Sequence, residues 1–118
     1  MKLRLYGNSL RFRLSPADVA ALDKTGIIRN TTEFAPNVEF VCSIRLSTEV
    51  NRPRASLKSN RITIDLPAAM ARDWARSETV GIRHTQDSLD ILIEKDFECL
   101  EPDAGDEKLY PNPKNTCL

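Results

Sequence analysis

The chain is short of the residues from which most protein-built catalytic and cofactor sites are made: its 118 residues include one histidine, four glycines and three cysteines. One imidazole and three scattered thiols give none of the paired spacings that a zinc or dithiol centre needs, so neither a metal nor a cofactor is expected. Four glycines supply no phosphate-cradling loop. Cys42, Cys99 and Cys117 are an odd number and read as reduced thiols in a reducing compartment, with a Cys99–Cys117 bridge as the alternative. No apolar run approaches the roughly 20 residues that span a bilayer. Lys2, Arg4, Arg11 and Arg13 interrupt the start of the chain before an apolar segment of signal-peptide length can form. A cytoplasmic, non-membrane protein is expected. Net charge is missing too, since 17 Lys and Arg balance 17 Asp and Glu.

That balance hides an asymmetry. Residues 1–61 hold eleven Lys and Arg against five acids, and residues 62–118 hold six against twelve, so the two parts carry +6 and −6. Opposite surfaces of this kind bear on partners rather than on fold. With 41% apolar residues the chain has enough to bury one core, which argues for one domain followed by a tail.

The stretch from Gly7 to Gly26 organises the reading. Leu3 and Leu5 alternate with Lys2, Arg4 and Tyr6 as in a half-buried strand, and Gly7-Asn8 offers two residue types that tolerate positive φ in a tight turn. Leu10, Phe12 and Leu14 then face inward while Arg11 and Arg13 face out. Ser15 as N-cap, Pro16 at the first helical position and Asp18 three residues after the cap predict a helix start, and Gly26 predicts its stop. Ile27 and Ile28 open a further strand, Pro36-Asn37 turns the chain, and Val38 to Leu46 alternate as the longest clean strand.

After a polar connection the pattern returns. At an offset of 52, Leu5, Asn8, Leu10, Phe12 and Leu14 land on Leu57, Asn60, Ile62, Ile64 and Leu66. A helix from Pro67 is expected to bury Met70, Ala71 and Trp74. Gly81-Ile82 echoes Gly26-Ile27, and Leu89, Ile91 and Ile93 echo Val38, Phe40 and Cys42. The expected fold is therefore α+β, rich in antiparallel strands with two short helices. It duplicates a ββαββ-like unit (halves about 1–47 and 53–97) that closes one barrel-like or sandwich domain. Residues 98–118 form an acidic, proline-containing tail with too little apolar surface to fold alone.

These residues resemble the AbrB/MazE-like swapped-hairpin family. Tyr6-Gly7-Asn8-Ser9-Leu10-Arg11-Phe12-Arg13-Leu14 is similar to the family's opening turn and strand, and the stretch from Asn60 through Leu66-Pro67 and Val80-Gly81-Ile82 to Ile93 is similar along its course. The resemblance implies interlaced hairpins, normally from two chains and here available within one. It also implies DNA contact through basic hairpin residues and, in antitoxin members, an acidic C-terminal extension that engages a toxin. The second copy departs from the pattern, with Ser59 for the turn glycine and Thr63 and Asp65 where Arg11 and Arg13 stand. The whole chain is also similar to a group of small bacterial proteins of unknown function that share the Gly-Asn-Ser opening, Glu-Lys-Asp-Phe at 94–97 and a Tyr-Pro-Asn-Pro-like end.

Two candidate surfaces follow. Lys2, Arg4, Arg11, Arg13 and Arg29 are placed to contact nucleic-acid phosphates, or else form an ordinary solvated strand face. Phe97, Glu98, Glu101, Asp103, Asp106, Glu107 and Tyr110 fit capture of a basic protein partner, docking onto the chain's own basic half, or simple solubilisation. Asp103, Asp106 and Glu107 lack the loop order of an EF-hand. His84 with Ser9 or Ser88 lacks the context of a nucleophile. The expected function is a non-enzymatic binding protein, either monomeric with pseudo-two-fold symmetry or a homodimer. The alternative is a small ligand-binding domain or enzyme with a cleft between the halves.

Overall fold

The computed structural model describes residues 1–97 and 110–111. The first half runs β1 (Lys2–Tyr6), β2 (Ser9–Leu14), α1 (Pro16–Thr25), β3 (Ile27–Ala35) and β4 (Val38–Ser47). The second runs β5 (Arg54–Lys58), β6 (Arg61–Pro67), α2 (Ala68–Arg76), β7 (Gly81–Gln86) and β8 (Leu89–Lys95). This is the expected α+β duplication. The strands form two four-stranded mixed sheets, ordered β1-β2-β8-β7 and β3-β4-β6-β5.

Neither sheet belongs to one half. Each combines the first hairpin of one half with the second hairpin of the other, and the joins are the two parallel pairings, β2 with β8 and β4 with β6. The halves are thus interlaced, and one apolar cluster runs through both sheets and both helices. Phe12, Leu14, Ile44, Ile64, Leu66, Ile91 and Ile93 are fully enclosed, as the alternation along β2, β4, β6 and β8 requires.

The registers refine the internal repeat. Leu10 lies opposite Ile91 and Ile62 opposite Cys42, so the spacing of 52 holds for the first hairpins, and Ile91 corresponds to Cys42 rather than to Phe40. Likewise Ile82 faces Ile93 as Ile28 faces Ile44, which sets Gly81 against Ile27 rather than Gly26. The shift arises because the β3–β4 hairpin is longer and carries an irregularity between Glu33 and Ala35. Gly26 is a left-handed helix cap (φ 82), whereas Gly81 opens a strand and has no positive φ.

α1 begins as its sequence dictates. Ser15 Oγ accepts from the Asp18 amide at 3.1 Å and Asp18 returns the bond to the Ser15 amide at 3.0 Å, a complete capping box. α2 begins at Ala68 with no side-chain cap and buries Ala71 and Trp74. Met70 is 42% exposed, against expectation, because the short helix presents a narrow stripe centred on Ala71 and Trp74 and leaves the flanking side chain at the rim. Trp74 is a core anchor: it is 1% exposed and its indole N–H donates to the Val80 carbonyl at 3.0 Å. In the first turn only Gly7 takes a positive φ (53), while Asn8 spends its side-chain amide on Ser88, donating to the carbonyl at 2.5 Å and to Oγ at 3.0 Å. Among the described residues no helix is long and apolar enough to cross a membrane.

Candidate nucleic-acid interface

Because Leu10, Phe12, Ile91 and Ile93 point into the core, the alternate residues of β2 and β8 form the outer face of the first sheet. Register then places side chains in rows across all four strands. One row reads Arg4, Arg11, Leu92, Arg83; the row above it reads Lys2, Arg13, Glu94, Gly81; the row below reads Tyr6, Ser9, Asp90, Thr85. Five cations therefore share this face with two carboxylates.

The electrostatics are partly settled within the face. Glu94 Oε1 accepts from Arg11 Nε at 2.6 Å and from Arg13 Nε at 3.0 Å. Each guanidinium keeps its terminal N–H groups beyond these contacts. Lys2 Nζ donates to Asp96 at 2.9 Å, and this bond holds the Asp96 carboxyl below its ordinary value. Arg83 lies 3.6 Å from Asp90, and the Arg4 guanidinium sits 5.6 Å above the Tyr6 ring. Arg4, Arg11 and Arg83 line one concavity of about 310 Å³ together with Tyr6, Asp90 and Leu92.

Gly81 eases a close approach here. A Cβ at this position would lie 3.1 Å from the Ile93 carbonyl oxygen and 3.3 Å from side-chain atoms of Glu94 and Leu92, so a side chain would require β8 to give by a few tenths of an ångström beside Glu94.

The structure brings together four of the five basic residues singled out in the sequence. Arg29 is on the other sheet, in the row Arg29, Ser43, Thr63, Ser56. Arg83 is the member that sequence reading missed. Its period-2 spacing from Thr85 marked it as outward, but nothing in the sequence announced that β8 would dock in parallel beside β2 and carry β7 to this face.

The other candidates are dispersed. Phe97 is 63% exposed and borders a groove of about 440 Å³ beside α1, lined also by Val19, Asp23, Ala75 and Lys95. Tyr110 is exposed. Glu98, Glu101, Asp103, Asp106 and Glu107 lie outside the described residues, as do Cys99 and Cys117. Cys42 is a buried free thiol whose pKa is pushed up by that burial, which disfavours the nucleophilic thiolate. His84 is half-buried at the edge of an open depression of about 600 Å³ with Glu49, Arg52, Arg54 and Asp87. Ser9 Oγ donates to the Tyr6 carbonyl and Ser88 Oγ accepts from Asn8, so both hydroxyls are engaged in turns.

A family model described as a family of unknown function, DUF7009, matches residues 1–114. No curated protein and no solved structure matches the chain.

Proposed function

The chain belongs to the DUF7009 family, and we propose that this member is a non-enzymatic binding protein that contacts the nucleic-acid backbone through the outer face of its first sheet and recruits a basic protein partner through residues 97–110. The row Arg4, Arg11 and Arg83 around one concavity, with Lys2 and Arg13 above it, carries the reading. Arginine is suited to phosphate because its planar fork donates two bonds at once. Residues 1–97 hold 15 Lys and Arg against 12 acids, so this segment is positive while the excess of acid lies in residues 98–118. The exchange of hairpins between halves supports the likeness to swapped-hairpin domains, whose basic hairpins and acidic extensions this chain shares in composition.

The test is binding of a mixed-sequence DNA duplex followed by fluorescence anisotropy across a salt series. Backbone contact requires log K to fall linearly with log salt, and replacing Arg4, Arg11 and Arg83 together by Ala lowers that slope by about 2 to 3. Absent or salt-independent binding rejects the nucleic-acid arm. For the acidic segment, a chain ending at Leu100 remains folded and loses its co-purifying basic protein; identical pull-downs with and without residues 101–118 reject that arm.

A further inference from the structure

The halves exchange strands along the two parallel seams, and each seam carries an ion pair at the equivalent position with its charges reversed. Arg13 faces Glu94 across β2 and β8, while Asp65 faces Arg45 across β6 and β4. Arg13 and Asp65 are equivalent by the spacing that matches Leu10 to Ile62, and Glu94 and Arg45 by the spacing that matches Ile91 to Cys42. A second pair of contacts fixes the alignment: the Asp90 amide donates to the Asn8 carbonyl and the Val41 amide to the Asn60 carbonyl, each at 3.0 Å. Both ion pairs are made. Arg13 Nε reaches Glu94 at 3.0 Å, and Arg45 binds Asp65 through Nε and through Nη2, the latter at 3.4 Å. Both carboxylates are largely covered, at 14% exposure for Glu94 and 17% for Asp65.

Apolar character along the seams does not tell the halves apart. Leu10, Phe12 and Leu14 occupy the places that Ile62, Ile64 and Leu66 occupy in the other half, all buried and all apolar, so burial of strand surface alone does not choose between a first and a second half as the partner. The seam charges are not so permissive. Two first halves would set Arg13 against Arg45, and two second halves would set Asp65 against Glu94, like charges side by side with the carboxylates shielded from water.

We propose that these reversed pairs are a recognition code by which the first half accepts only a second half as its partner. Pairing of like halves from two chains is thereby rejected. The exclusion of like pairs matters most while the chain is folding, when both hairpin seams are open and a neighbouring chain offers the same apolar strands.

The code is tested in the full-length protein by exchanging charges without changing the net charge. In Arg13→Asp, Asp65→Arg the correct seams become like-charged and the like-half seams become attractive. In the fourfold variant that adds Arg45→Asp and Glu94→Arg, complementarity at these four positions returns with every sign inverted. Arg11→Thr is carried by every protein compared, because Arg11 also binds Glu94 at 2.6 Å and would otherwise hold that carboxylate in the double variant and oppose the new cation in the fourfold one. The double variant is expected to lose roughly 10 °C of thermal midpoint and to gain mass with concentration in light scattering. The fourfold variant is expected to regain the mass of the Arg11→Thr parent and most of its midpoint. A double variant that misfolds outright still supports the code when the fourfold variant recovers. A double variant with the parent's midpoint and mass, or a fourfold variant no better than the double, overturns it.

Discussion

Ser59 stands in a left-handed conformation (φ 50) at the turn position that Gly7 occupies in the first half. A residue with a Cβ pays about 1 to 2 kcal/mol there, partly offset by the greater freedom glycine has when unfolded. Ser59→Gly is therefore expected to raise stability by about 0.5 to 1 kcal/mol, read as a higher midpoint in chemical denaturation. Asp18 makes a pH-dependent contribution. Desolvation raises its pKa, but the Met1 ammonium at 2.6 Å and the Ser15 bonds outweigh that, leaving the carboxyl below its ordinary 3.8. A depressed acid stabilises the fold above the unfolded value, and the effect is lost as pH falls through the lower, folded value. Asp18→Asn is expected to cost about 1 kcal/mol at pH 7, with the difference from wild type closing in urea titrations as pH falls below the ordinary carboxylate range and through the lower, folded value. The cap and the helix stop at Gly26 were legible because both depend on local chemistry. The left-handed Ser59 was legible only by analogy with Gly7.

At the scale of elements, Gln86 joins the sheets. Its side-chain oxygen accepts from the Ala55 amide at 2.7 Å and its nitrogen donates to the Ala55 carbonyl at 2.9 Å, so an amide from edge strand β7 pairs with edge strand β5 as a further strand would. Gln86→Ala leaves both backbone groups without these partners and is expected to cost about 1 to 3 kcal/mol. Gln86→Glu keeps the acceptor and loses the donor, so an equal loss in both variants would count against the two-bond reading. Strand alternation revealed β2, β6 and β8 because each buries one face; β4, held between β3 and β6, also covers Val41 and Ser43 on its other side. The two-residue error in matching β8 to β4 came from the longer β3–β4 hairpin, whose extra length follows the strand period and leaves no mark in hydropathy. The parallel seams were beyond local pattern, since alternation records which face is buried and not which neighbour covers it.

For the whole molecule, interlacing makes each half incomplete without the other. The first sheet is finished only when β2 and β8, from opposite ends of the described segment, meet, which places that pairing at long range and slows closure. Limited proteolysis in the exposed connection around Thr48 to Arg52 is expected to give two fragments that separate on a denaturing gel but co-elute in native gel filtration. Elution as two bodies would contradict the shared core. The duplication and the fold class were readable because the order of turn, cap, helix and hairpin repeats. The basic face was readable only in part, since Arg83 reaches it through a sheet assembled from both halves.

The Lys2–Asp96 ion pair sets the two ends of the described segment 1–97 side by side. With these ends adjacent and its halves built from the same order of elements, the fold is close to a closed ring that the chain opens at one of two similar places. Residues 53–97 followed by a short linker and residues 1–47 keep every strand neighbour and both seams. Which half is made first is a matter of gene order rather than of architecture.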